Sequence, residues 1–339
     1  MKKNYNYFIR KFYSLFRIFL KNPWNIYSWI KYKNFRRFYD WFFSWKYVYI
    51  SNERYEWSYG FKNYISNHSD CYNSLVKWLD VSSVILIDNF FNMLNYVLGN
   101  RDLCIPKQLL SISNNPDYCN IRWNIKQYIK PLYLPWRGIQ EVFFYKHWML
   151  TIPNIEEKVK WKDIIDCGAY IWDSALMFST ELDCNKIYWL EPDNKNYKTF
   201  NEVVKKNNLS NKICCLNIWT YLKKWRISFS EGDWIASQIR KGWNTTIEVD
   251  SIDNIVKENN INPGLIKRDI EWAEYDSLMG GEKTIKKYKP TLIISIYHNP
   301  RDFFEIKPLL ESWNLWYKFK IVHCSEWYIT SDIVLIAYI

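Results

Sequence analysis

From residue 151 onward the chain alternates short, β-rich apolar runs with helical segments, and this alternation restricts the fold more than any other feature. The runs 163–169 (DIIDCGA), 186–192 (KIYWLEP) and 212–218 (KICCLNI) are separated by helical stretches at 174–182 and 194–208. A hairpin-like run at 225–230 and the run 246–256 follow, then 265–271 (LIKRDIE), a helix over 274–287, 291–298 (TLIISIYH) and a helix over 302–313. Strands that alternate with helices predict a parallel sheet covered on both faces. The last two runs, 319–324 and 332–339, are joined too tightly for a crossover, so they must pair antiparallel.

The rest of the chain differs in character. Residues 1–50 carry eleven Lys/Arg and one acid, Asp40, a net of +10, which leaves +1 of the total +11 for everything else. In YFIRKFYSLFRIFLK, Phe8, Phe12, Leu15, Phe16 and Phe19 share one helical face and Arg10, Arg17 and Lys21 the other. Arg10, Lys11 and Arg17 interrupt the apolar stretch a signal peptide would need. Residues 1–60 therefore read as a basic, aromatic, amphipathic leader. It is suited to an anionic membrane surface or to docking on the domain that follows. No recognised nucleic-acid motif accompanies the charge, so nucleic acid is not an expected partner. Residues 61–150 read as a mainly helical accessory region and 151–339 as the α/β domain. No stretch reaches the roughly 18 uninterrupted apolar residues of a membrane span. The expected location is cytoplasmic, with the leader able to attach the protein at the inner membrane face.

Eight cysteines are present, none in C-x-x-C, and only four histidines. A zinc site is unsupported and no metal is expected. The cysteines read as reduced and mostly buried.

The strongest chemical signal is the stretch Asp166, Cys167, Gly168, Ala169, Tyr170, Ile171, Trp172, Asp173. A strand ends at Asp166 and a helix starts near Asp173. Ligands in open α/β sheets bind outside such strand ends, where a small residue admits backbone contact and a helix N-terminus offers unpaired N–H groups. Glu191, at the end of the second strand, is placed to accept both hydroxyls of a ribose. A nucleoside-containing cofactor follows. The plainer alternative is an ordinary strand–helix turn, and a dinucleotide site would want more glycines than Gly168.

Five ordered blocks, DIIDCGAYIWDSALMFS, IYWLEPDNKNY, TTIEVDSID, LIKRDIEWAEYDSLMGGEKTIKKYKP and LIISIYH, resemble the FkbM family of S-adenosylmethionine-dependent methyltransferases across about residues 130–339. The resemblance implies a Rossmann-like methyltransferase sheet, mostly parallel with an antiparallel last strand. It implies S-adenosylmethionine held by Asp166, Gly168, Ala169, Tyr170, Trp172, Asp173, Glu191, Pro192 and Asp193. It also implies O-methylation of a hydroxyl on a sugar, glycan or natural product. Asp269, Glu271 and His298 are the candidate catalytic residues. Asp269 could orient the acceptor or face the cofactor, and a largely neutral His298 could take a hydroxyl proton or serve only as a hydrogen-bonded strand-end residue. Glu274 reads as a solvated helix residue and His323 as structural.

One departure is systematic. The family has glycine where Trp172 and Trp272 stand. Trp161, Trp234, Trp243 and Trp327 occupy turn-like places. The chain has 20 Trp and 9 Gly, where about 24 Gly would be ordinary at this length. Glycine codons read as tryptophan would explain both counts; a divergent, inactive homologue with real tryptophans is the alternative. An indole at 172 or 272 would crowd the cofactor or methyl-transfer region. Two further readings stay open: a non-catalytic, membrane-associated homologue with a blocked site, and another nucleotide-binding Rossmann enzyme.

Overall fold

The computed structural model describes residues 47–49, 52–100, 104–106, 132–133, 145–168, 173–229, 245–323 and 332–339. The leader helix expected over 7–21, with Ala169, Tyr170, Trp172, Trp234, Trp243 and Trp327, lies outside these residues. The chain forms two compact units, Met1–Tyr59 with Asn89–Ser111 and Gly60–Asp88 with Ile112–Ile339.

In chain order the strands are β1 (Tyr47–Tyr49), β2 (Cys104–Pro106), β3 (Asp163–Cys167), β4 (Ile187–Leu190), β5 (Ile213–Leu216), β6 (Trp219–Thr220), β7 (Trp225–Phe229), β8 (Thr245–Asp250), β9 (Pro263–Arg268), β10 (Thr291–Ser295), β11 (Lys318–His323) and β12 (Ile333–Tyr338). The helices are α1 (Asn52–Asn67), α2 (Cys71–Val76), α3 (Val81–Asn100), α4 (Ile155–Val159), α5 (Asp173–Glu181), α6 (Asn194–Lys206), α7 (Ile252–Glu258), α8 (Glu274–Met279), α9 (Glu282–Tyr288) and α10 (Pro300–Ser312).

In the first unit β1 and β2 pair antiparallel and Trp57 meets Phe90 edge-on at 5.8 Å. A strand at 104–106 thus falls inside a region whose sequence reads as helical. Helix α3 buries Ile87, Phe90, Met93, Leu94 and Val97, the three- and four-residue spacing of one helical face. By length and composition its stretch Val81–Leu98 could cross a membrane, although Asp88 interrupts it.

The second unit is built on a seven-stranded sheet in the order β11-β12-β10-β9-β3-β4-β5. β5, β4, β3, β9 and β10 run parallel, and β12 is antiparallel to both β10 and β11. Every residue of β3, β4, β9 and β10 is buried, as expected when helices cover both faces. One face packs Leu176 and Phe178 of α5 and Phe200 and Val203 of α6 on Ile164, Ile187, Leu265 and Ile293. In the same unit Phe61 and Tyr64 of α1 pack on Phe303 and Phe304 of α10, at 5.4 and 5.3 Å. β11 is an edge strand, and Ser83 of α3 closes one of its open positions. The Ser83 hydroxyl accepts from Ile321 N–H at 2.8 Å and donates to Ile321 C=O at 3.1 Å.

Two expected elements are divided. The run 246–256 breaks after β8, because Ser251 caps α7 by accepting from Asn254 N–H at 3.2 Å. The helix over 274–287 breaks at Gly280 and Gly281. A Cβ at Gly280 would sit 2.2 Å from the Tyr221 carbonyl oxygen, so only glycine permits that approach. β6 joins the β7–β8 hairpin as a small third sheet.

Twelve described non-glycine residues have positive φ, and four are tryptophans: Trp78 (62°), Trp161 (60°), Trp272 (81°) and Trp316 (69°). Four others are asparagine, the usual non-glycine occupant of that region. The four indoles are 81%, 72%, 48% and 86% exposed, so no burial offsets the backbone cost. Trp189 is their opposite. It lies in β4, fully buried, stacked on Phe200 at 4.4 Å.

Candidate active site at the strand ends

The sheet reverses its winding between β3 and β9. β4 and β5 lie on one side of β3, and β9 and β10 lie on the other. The crevice outside the carboxyl ends at such a switch point is where open α/β sheets bind ligands. β3 delivers Asp166, Cys167 and Gly168 there. Gly168 has φ +66° and its N–H donates to Leu190 C=O at 3.1 Å. Asp166 is fully buried. It accepts from the Ser174 hydroxyl at the start of α5, and Lys267 Nζ lies 3.3 Å from it. The same ammonium donates to Gly168 C=O at 3.3 Å. Asp166 therefore ties the end of β3 to the start of α5. Asp173 opens α5.

The second strand delivers Glu191, buried at the tip of β4. Its Oε1 accepts from Asp193 N–H at 3.0 Å and from Asn196 Nδ2 at 3.3 Å. Asp193 caps α6, accepting from Lys195 and Asn196 N–H, both at 2.8 Å. Pro192 between them accepts from Asn217 Nδ2 at 3.1 Å. The LEPD block is thus a rigid helix entry that holds one carboxylate still beside the glycine turn.

β9 and β10 deliver the second cluster. After β9 the chain passes Asp269, Ile270, Glu271 and Trp272 into α8, with Glu271 (56°) and Trp272 both at positive φ. Glu274 is fully buried, contrary to the expectation of a solvated residue, and its Oε1 accepts from Ile270 N–H at 2.9 Å. That bond closes the turn. His298, just past β10, places Nδ1 2.8 Å from Glu274 Oε1. Its Nε2 lies 3.4 Å from Asp269 Oδ1 and 3.4 Å from Glu271 Oε2. The Asp269 and Glu271 side chains are 30% and 29% exposed, against 4% for His298, so the cluster opens on the carboxylate side.

The electrostatics follow from burial and proximity. Burial opposes a charge on His298, but Glu274, Glu271 and Asp269 outweigh it and raise the imidazole to about 10. It is held protonated, unlike the neutral base expected from the sequence. Burial also opposes charge on Glu274, and His298 overcomes it, so that carboxyl is lowered. Burial raises Asp269, and raises Glu271 to about 7. Asp302 is raised to about 8, by burial first and Glu274 next.

The structure thus brings Asp166, Gly168, Glu191 and Asp193 to one part of the crevice rim and Asp269, Glu271 and His298 to another. Sequence reasoning missed Lys267, Ser174 and the structural use of Glu274. The available signal was LIKRD itself, since two cations in a strand this apolar require buried partners. Lys267 finds Asp166, and Arg268 donates to the Ser277 hydroxyl.

A parallel sheet with this switch point, a glycine turn after its first strand, an acid at the tip of its second and an antiparallel β12 is the Rossmann-like methyltransferase fold. Residues 166–319 match the family model of the methyltransferase FkbM domain, so this stretch is an FkbM-type methyltransferase domain, in agreement with the resemblance of its sequence blocks. The crystal structure of methyltransferase FkbM from Methylobacillus flagellatus KT superposes with a TM-score of 0.54 at 20% identity. The match covers 82% of this chain and 61% of that one, so the chain spans less than two thirds of that protein's length. Looser likenesses include an rRNA methylase from Streptococcus thermophilus (TM-score 0.34, 11% identity, 54% of this chain and 89% of that one). Another is a putative O-methyltransferase from Klebsiella pneumoniae (0.37, 11%, 68% and 92%). No curated protein matches the chain.

Proposed function

We propose that the protein is an S-adenosylmethionine-dependent O-methyltransferase acting on a hydroxyl of a sugar, glycan or natural product. The observation that carries this reading is the pairing of two sites at one switch point. Gly168 and Glu191 stand at the ends of β3 and β4, and Asp269, Glu271 and His298 at the ends of β9 and β10. The first pair fits a nucleoside. The cradle at Gly168 admits no side chain, because a Cβ there would meet the Asp269 carbonyl oxygen at 1.9 Å. The Glu191 carboxylate, oriented by Asp193 and Asn196, would accept the ribose hydroxyls.

When bound, S-adenosylmethionine supplies an electrophilic methyl group. The chain must then orient a nucleophilic oxygen and hold its departing proton. Asp269 and Glu271, both part-exposed, would accept hydrogen bonds from acceptor hydroxyls. Glu271 is the proton acceptor in this reading. His298, pinned by Glu274, faces the two carboxylates at 3.4 Å from each. A carboxylate at this place suits a hydroxyl acceptor, whose oxygen must give up its proton as the methyl group is transferred. Attachment of residues 1–60 to an anionic membrane surface is part of the same proposal and would suit a lipid-linked glycan acceptor.

The test is calorimetric titration of S-adenosylmethionine into the full chain, with NAD as competitor. Binding that NAD does not displace, weakened at least tenfold by Glu191→Ala, supports the reading. A folded chain that binds NAD and not S-adenosylmethionine would overturn it.

A further inference from the structure

We propose that Asp269, Glu271 and His298 bind one divalent cation of the Mn2+ or Mg2+ type. One ligand atom from each residue, Asp269 Oδ1, Glu271 Oε2 and His298 Nε2, lies within 4.8 Å of the other two. The two nitrogen–oxygen separations, 3.4 Å each, are wider than a charge-assisted hydrogen bond of about 2.7–2.9 Å. They approach the roughly 3 Å edge of an octahedron whose ligands stand about 2.1 Å from a central ion. An ion seated there takes the place of the Nε2 proton.

A second observation does not involve Asp269 or Glu271. Glu274 approaches Nδ1 at 2.8 Å and is itself fixed by Ile270 N–H. Histidine ligands to metals are characteristically held in this way, by a carboxylate on the far ring nitrogen that fixes the tautomer and aims the other nitrogen at the ion. The donor set has two carboxylates, one imidazole and no thiolate, which suits Mn2+ or Mg2+ better than a thiophilic metal. Three protein ligands on one side leave positions open toward the exposed side of the cluster. The substrate class follows: an acceptor with two adjacent oxygens, such as a vicinal diol of a sugar. A carboxylate bound through one oxygen keeps its other for the acceptor's proton. This substrate assignment rests on the methyltransferase reading; the ion site does not.

The experiment is titration of Mn2+ into the full chain, read by the electron paramagnetic resonance of free Mn2+ and by nitrogen modulation of the bound ion. One ion per chain is expected, with coupling to an imidazole nitrogen. Affinity should fall at least tenfold in Asp269→Asn, and 10- to 100-fold in Glu274→Gln. Absence of stoichiometric binding by the wild-type chain overturns the proposal, whatever the variants do. So does a bound ion without nitrogen coupling. S-adenosylmethionine binding measured in EDTA separates the two readings. Cofactor binding without an ion site removes only the cation. An ion site without cofactor binding removes the methyltransferase reading.

A different observation carries a second inference: Trp78, Trp161, Trp272 and Trp316 stand at positions that are glycine in the native protein. All four have φ between 60° and 81° and all are exposed, the backbone that glycine adopts without cost and an indole does not. The chain is short of glycine by about the number of its excess tryptophans. The test is the gene and its product. A codon at these four positions that differs from the ordinary tryptophan codon, with glycine in the native peptide, is expected. Ordinary tryptophan codons there, or tryptophan in the native peptide, would refute it.

Discussion

Gly168 and Asp269 lie so close that a single added carbon on the first would sit 1.9 Å from the carbonyl oxygen of the second. The contact joins the turn after β3 to the turn after β9, and Asp269 N–H also donates to Cys167 C=O at 3.0 Å. The turn after β3 and the turn after β9 are therefore one rigid piece. Gly168→Ala must both adopt φ +66° and push β9 away. It should cost about 3 kcal/mol or more of unfolding free energy and abolish cofactor binding. Urea denaturation with parallel cofactor titration checks this; wild-type stability would contradict it.

The tryptophans divide by backbone. Trp78, Trp161 and Trp316 are exposed at positive φ, where a non-glycine residue carries roughly 1–2 kcal/mol of strain. The triple change to glycine should raise the melting temperature despite removing three large side chains. Trp189→Gly should instead lose about 3–5 kcal/mol, because it empties the stack against Phe200. Melting curves of the two variants decide between this division and a uniform response.

Asp302 gives a pH dependence. Its carboxyl is raised to about 8 in the folded chain, chiefly by burial and then by Glu274, against about 3.9 unfolded. The folded state holds the proton longer, so this contribution to stability is complete below about pH 4 and is lost as pH rises through about 8. Asp302→Asn keeps a group able to accept from Tyr275 N–H, now at 3.0 Å. It should flatten the fall in stability across that window. An unchanged slope from pH 4 to 8 would show that another group governs it.

Ser83 satisfies both backbone groups of Ile321 on an edge strand. Ser83→Ala leaves them buried without that partner and should cost about 1–3 kcal/mol. Exchange of the Ile321 amide should accelerate in the variant. Exchange at the wild-type rate would mean that the hydroxyl is dispensable.

The eleven cations of residues 1–50 predict binding of the full chain to anionic vesicles at low salt, released as ionic strength rises. Co-sedimentation with neutral and anionic vesicles measures it. Equal binding to both would point to the apolar face instead.

What the sequence determined by itself was periodicity. Apolar runs too short for helices, set between helical stretches, already require a covered parallel sheet. A tight final connection already requires an antiparallel last strand, and the glycine turn and LEPD block mark the ends of the first two strands. Local patterns decide these because side-chain spacing and turn chemistry act within a few residues. The tertiary structure alone decided which charges meet. Glu274 reads as a solvated helix residue, since nothing nearby in the sequence shows that it will be buried against His298, 24 positions away. Lys267 and Asp166, 101 positions apart, become partners only when β9 is laid beside β3. The protonation of His298 likewise comes from three carboxylates that the fold gathers around one ring. Backbone sign is the remaining case. Composition and the family pattern raised the reading that tryptophans stand for glycines, but only φ separates Trp316, in a left-handed turn, from Trp189, in an extended buried strand.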